Sequence, residues 1–287
     1  MPCHPRRVLT LALFSSLAMA SPSSFAHMLT IPIGKLATKP QVDGAFDEWQ
    51  SVPAVKIPLT YLGKPKLTKD VFLKAGVFND EIFFYSQWDD TTKDVVHKPH
   101  IWDTTANKYV EGPQREDRFA IEFAMEGHYN ANWFSGNEFK ADLWNWKAAR
   151  TNPIGISHDK MTIISEQAMS ESYKATLPNG KIMYIYRPSD LGGDPYETKR
   201  YFKKQNDVML KYLPLATLPV GVDDVHAKGV WKDNKWYLEQ SRKLNTNHYD
   251  DVLFKANSEL LGAIAVFDHN DGGNHYTSDT LKFKLQF

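Results

Sequence analysis

Cysteine is all but missing from this chain. Its 287 residues include one, Cys3, and that residue falls in a segment that reads as an export signal. A short basic stretch carries Arg6 and Arg7, the apolar run VLTLALFSSLAMA follows, and Ser-Phe-Ala precedes His27. The paired arginines raise the twin-arginine route, but the surrounding residues fit that signal poorly and favour ordinary secretion. Residues 1–26 are therefore expected to leave a mature periplasmic protein beginning near His27. Such a chain has no disulfide, no thiolate zinc site, no nucleophilic cysteine and no Cys-x-x-Cys-His for covalent haem. Any metal must be held by His, Met, Lys or carboxylates. Long apolar runs are as scarce as cysteine: the signal's own run is too short to span a bilayer, and no later one is longer. An excess of one charge is also missing. Lys and Arg number 34, as do Asp and Glu, and loss of Arg6 and Arg7 tips the balance slightly acidic, so no basic field favours nucleic acid. Neither G-x-S-x-G nor H-E-x-x-H occurs. The adjacent acids Glu116-Asp117 and Asp250-Asp251 would point to opposite sides of a strand and do not form a catalytic pair by spacing alone.

Aromatic residues are plentiful: 13% of the chain, with eight Trp. They sit in patterns of period two. VFLKAGVFNDEIFFYSQWDD (71–90) predicts a hairpin around Asn79-Asp80. DRFAIEFAM (117–125) puts Phe119, Ile121, Phe123 and Met125 on one face and Arg118, Ala120, Glu122 and Ala124 on the other. KIMYIYR (181–187), KGVWKDNKWYLEQSRKL (228–244) with a hairpin tip at Asp233-Asn234, LLGAIAVFD (260–268) and TLKFKLQF (280–287) add further strands. The expected fold is all-β: one antiparallel β-sandwich over residues 27–287, with long irregular loops at 89–115 and 153–180 and one or two short helices, one of them at 195–213. VDGAFDEW (42–49) reads as a structural turn that Gly44 permits, with Trp49 plugging the end of the core.

The densest mixture of aromatic and charge is KADLWNWKAARTNP (140–153). Trp144 and Trp146 share one side of an extended segment. Lys147 and Arg150 follow at once. The pattern fits either the wall of a binding site or core tryptophans beside solvated cations. DHNDGG (268–273) looks like a calcium loop only loosely, because Gly272 stands where an oxygen ligand is wanted and no Glu closes the loop.

Taken in order, VDGAFDEW, REDRFAIEFAMEG, ADLWNWKAARTNP, AKGVWKDNKWYLEQSRKL and AIAVFDHNDGGNHYTS resemble the haem-binding domain related to the γ subunit of ethylbenzene dehydrogenase. Relatives serve dimethylsulfide dehydrogenase, selenate reductase and chlorate reductase. The resemblance implies a sandwich that holds one non-covalent haem b and passes electrons between a molybdenum/iron–sulfur enzyme and a soluble carrier, rather than a catalytic chain. In the γ subunits the axial ligands are a Met and a Lys. Here the resemblance points to Met125 and, where the family's Lys stands in the last loop, to His275. Lys255 and His128 are reserves. It also implies Trp144, Trp146 and Trp102 against the porphyrin, with Lys147 and Arg150 for the propionates. The turn at 42–49 is shared with family-nine carbohydrate-binding modules. The competing reading is accordingly a non-redox sugar-binding sandwich with Trp144 and Trp146 exposed in an open groove; a third is a scaffold subunit that has lost its haem.

Overall fold

The computed structural model describes residues 28–269 and 275–287. The expected signal segment with His27, and residues 270–273 of the DHNDGG stretch, lie outside them. Among the described residues nineteen strands follow one another: β1 (Thr30–Lys35), β2 (Val55–Tyr61), β3 (Lys64–Phe78), β4 (Glu81–Asp89), β5 (His100–Asp103), β6 (Lys108–Glu111), β7 (Arg118–Gly127), β8 (Phe139–Lys147), β9 (His158–Ser165), β10 (Tyr173–Thr176), β11 (Ile182–Tyr186), β12 (Tyr196–Thr198), β13 (Val208–Met209), β14 (Tyr212–Pro214), β15 (His226–Lys232), β16 (Lys235–Lys243), β17 (Glu259–Phe267), β18 (Tyr276–Thr277) and β19 (Leu281–Gln286).

Fourteen of them form one sheet folded over as a sandwich. The first layer runs β10-β11-β9-β8-β7-β17-β19 and the second β2-β3-β4-β16-β15. β18 joins the layers by pairing with β17 and β2, and β1 joins them by running parallel to β19 and β3. The two predicted hairpins are present. Asn79 (φ 54°), Asp233 (φ 53°) and Asn234 (φ 58°) take the left-handed conformation that two-residue hairpin turns demand and that Asn and Asp tolerate.

The alternation in β7 explains how the layers meet. Phe119, Ile121 and Phe123 are buried in the interlayer core with Trp144 and Trp146 of β8, facing Phe84 and Trp88 of β4 and Trp236 of β16. Close packing leaves no slack. A Cβ at Gly229 would stand 2.3 Å from Cζ2 of Trp146, so β15 can carry only glycine there.

Two expectations fail. No helix forms over 195–213; β12, β13 and β14 occupy that span. The segment has no continuous apolar stripe for a helix to bury, and tertiary contacts hold it extended: Tyr196 and Tyr212 each lie 5.1 Å from the Arg150 guanidinium. The stretches expected as irregular, 89–115 and 153–180, contain β5, β6, β9 and β10. β9 escapes period-two reading because both its faces are covered, so polar His158, Asp159 and Thr162 are as buried as Ile164. The short helices are three single 3₁₀ turns, at Asp47–Trp49, Asn152–Ile154 and Asp190–Gly192.

The turn at 42–49 is structural, as read. Glu239 of β16 accepts hydrogen bonds from the Trp49 indole (2.7 Å) and from the backbone N–H groups of Asp43 (3.0 Å) and Gly44 (2.7 Å). Gly44 has φ 85°, and a Cβ there would meet Val230 at 2.4 Å. Burial pushes the Glu239 carboxyl up to about 7 against the pull of these three donors. Glu239→Ala strands all three at once and should lower unfolding free energy by about 2–4 kcal/mol. Urea denaturation followed by tryptophan fluorescence measures it, and a loss under about 0.5 kcal/mol would show that the turn holds without this anchor.

Candidate functional site

β8 is buried on both faces, and that decides where its charged and aromatic residues go. Trp144 and Trp146 point inward and have no exposed surface. Trp144 meets Phe123 and Phe84 edge-on at 5.2 and 5.6 Å; Trp146 meets Trp236 at 4.9 Å and donates its indole N–H to Asn152 Oδ1 at 3.0 Å. They are core, walling neither an open groove nor a slot.

The opposite face of the same layer is the unusual one. Register pairs Arg118 with Lys147, Ala120 with Asn145 and with Ala265, and Glu122 with Leu143 and with Ala263. The side chains Ala120, Leu143 and Ala265 make a small apolar floor beside Phe267. Above one end His275 stacks on the Phe267 ring (4.4 Å, 25°), and the Arg118 guanidinium lies 4.0 Å from the centre of that ring. The Nδ1 atom of His275 is buried and has no hydrogen-bond partner among the described residues. Burial first, then the charges of Arg118 and Arg187, depress this imidazole to about 4, so it is neutral near pH 7. Arg187 lies 5.6 Å from the Trp133 ring. Across the floor Glu122, 5% exposed, accepts from the Tyr129 hydroxyl (2.9 Å) and the Trp133 indole (3.3 Å) while its Oε1 is unpartnered. Burial raises this carboxyl.

Lys147 and Arg150 flank this face but are committed elsewhere. Lys147 Nζ is 2.6 Å from His158 Nδ1 and 3.1 Å from the Tyr196 hydroxyl. Burial, with Arg150 and Lys160 nearby, holds the amine well below its ordinary range, and burial does the same to His158. Arg150 Nε donates to Glu116 Oε1 at 2.5 Å, and the same carboxylate caps the N–H groups of Ala149 and Arg150.

The remaining expected residues do not converge. Met125 sits at a bulge in β7 and packs against the interlayer core. His275 lies at the Arg118 end of the same strand. Seven residues at ~3.3 Å each separate the ends by about 23 Å, whereas donors on opposite sides of one metal ion stand about 4–5 Å apart. Met125 and His275 are therefore not a ligand pair. Exposed Lys255 and His128 both lie toward the Met125 end, beyond the start of β17 and the end of β7. Trp102 belongs to the small β13-β5-β6 sheet, where it packs on Tyr109 at 5.0 Å, away from Trp144 and Trp146. The sequence reading passed over Arg118, Glu122, Leu143, Arg187 and Phe267. For Arg118 and Glu122 the signal was the second face of DRFAIEFAM, where Arg and Glu alternate with small alanines; Leu143, Arg187 and Phe267 carried none.

A family model described as ethylbenzene dehydrogenase matches residues 47–278. The chain belongs to that family. No curated protein matches it. Among solved structures, a carbohydrate binding module family 9 from Caldicellulosiruptor kristjanssonii in complex with glucose is 8% identical, with TM-score 0.39 over 90% of this chain and 95% of that one. The same organism's module in complex with cellotriose is 10% identical, with TM-score 0.37 over 90% and 93%. At these values the likeness says nothing about what this member of the ethylbenzene dehydrogenase family binds.

The Glu116–Arg150 pair stiffens the corner after β8 in this family member. Arg150→Met leaves a fully buried carboxylate with only two backbone donors, and should cost about 3 kcal/mol of stability. Thermal and urea unfolding of the variant test this; an unchanged midpoint would show that the two backbone donors suffice to hold Glu116.

Proposed function

We propose that the mature chain is a periplasmic electron-transfer subunit that holds one haem b on the outer face of β7, β8 and β17, with His275 as an axial ligand. The observation that carries this reading is the buried, unpartnered Nδ1 of a neutral imidazole beside an apolar floor. A haem needs a neutral nitrogen donor, an apolar surface and cations for two propionates. His275 supplies the first, Ala120, Leu143, Ala265 and Phe267 the second, and Arg118 and Arg187 the third. Lys147 and Arg150, already paired, act on the propionates only through their field. Family membership supports the same reading. When bound, the group would supply a one-electron redox centre; the chain would orient it, exclude water from one face and set its potential through His275 and the surrounding arginines. Molybdoenzyme and iron–sulfur subunits on one side and a soluble periplasmic cytochrome on the other are the partners this role requires.

The sugar-binding alternative loses its platform, since Trp144 and Trp146 are sealed in the core. Titration of the purified chain with haemin tests the proposal. Wild type should take up one equivalent with a Soret band. His275→Ala should bind at least tenfold more weakly, and Met125→Ala should keep the wild-type spectrum. No uptake by wild type would overturn the haem reading and leave a scaffold role. Uptake unaffected by His275→Ala would overturn this ligand.

A further inference from the structure

A second cluster of buried charge lies within the sandwich, on the side of β8 and β9 turned away from the haem face. Asp142 of β8 and Asp159 of β9 have no exposed surface, and Asp251, from the loop between β16 and β17, is 8% exposed. One carboxylate oxygen from each lies within 4.8 Å of the others. Asp190, 1% exposed, and Asp250, 2% exposed, adjoin them. Within this group one cation is buried: Arg242, whose NH1 lies 2.6 Å from Asp142 Oδ2, 2.6 Å from Asp251 Oδ1 and 3.6 Å from Asp159 Oδ2.

The donors available do not satisfy these acids. Asp142 Oδ2 takes Arg242 and the Val252 N–H (3.0 Å), and Asp251 Oδ2 takes the Thr246 hydroxyl. Asp250 Oδ2 takes the Leu191 N–H at 2.9 Å. Left without a hydrogen-bond donor among the described residues are Asp142 Oδ1, Asp250 Oδ1, both oxygens of Asp159 and both of Asp190, the last within hydrogen-bonding reach of the Asp251 carboxyl. Six buried carboxylate oxygens without donors are not what native interiors tolerate. One guanidinium cannot compensate the charge around it. We propose that Asp142, Asp159 and Asp190, with Asp251 shared between the ion and Arg242, bind a divalent cation of the calcium class as a structural ion. The donors are all hard oxygens, with no thiol and no imidazole among the four, which favours calcium over zinc. A cleft of about 420 Å³ lined by Asp224, His248 and Thr246 reaches Arg242 at the edge of the cluster.

The site is independent of the haem face, and its test needs no haem. The full chain, stripped with chelator, is titrated with calcium chloride by calorimetry and with terbium, whose emission Trp144 can sensitise because it pairs in register with Asp159. One calcium per chain, a midpoint of unfolding raised by about 5 °C at saturation, and terbium emission displaced by calcium are expected. Asp159→Asn should weaken calcium at least tenfold. Asp190→Asn should do the same if the first variant folds poorly. Glu126→Gln, on an exposed acid, should change nothing. Millimolar calcium without effect on the wild-type midpoint, both aspartate variants binding as wild type, or an equal response to magnesium would overturn the proposal.

Discussion

From Ala141 to Lys147 strand β8 is covered on both faces, and that constraint organises the molecule. A strand covered on one side can send its polar residues to water by simple alternation. One covered on both must give every residue a partner inside protein. In β8 the inward series carries Asp142, Trp144 and Trp146 and the outward series carries Leu143, Asn145 and Lys147. The indoles fill the space between the layers, where Phe84, Trp88, Phe123 and Trp236 meet them. Asp142 must then find a cation across the sandwich, and Arg242 reaches it from β16 with its guanidinium 5.1 Å from the Trp144 ring. Lys147, facing the other way, is covered by the segment that carries Tyr196 and settles on His158.

The same constraint explains what the sequence disclosed. Layers, hairpins and inward faces were legible because period two survives wherever one face is apolar. DRFAIEFAM reads correctly to the residue, and Asn79-Asp80 and Asp233-Asn234 mark real turns. β9 was not legible, since HDKMTIIS buries acid, imidazole and hydroxyl along with its aliphatics. Nor was the extended course of 196–214, which tyrosine–arginine contacts impose from a distance.

His275 was nominated on loop position and residue type, and the structure places it beside Phe267 at the Arg118 end of β7; Met125 does not converge with it. Met125 lies on the right strand but toward the wrong end and at a bulge, and neither fact shows in a one-dimensional pattern. Trp144 and Trp146 were misread as site walls because indoles beside cations look alike whether the cations share their face or oppose it. One residue of register separates the two cases.

The charge of the chain sums to nothing, yet inside the sandwich layer it is sorted. Along β9 the triplet His158-Asp159-Lys160 alternates, and along β8 Asp142 and Lys147 stand five residues apart, an odd interval that sends them to opposite faces. Bases therefore gather outside, where Arg118, Lys147, Arg150, Lys160 and Arg187 act on one another, and acids gather inside around Arg242. Burial, and after it the like charge gathered on each face, holds lysines below their ordinary range on one side and aspartates above it on the other. On the proposed reading, a dianionic porphyrin edge would answer the outer charge and a divalent cation the inner one, so that one alternation would underlie both sites.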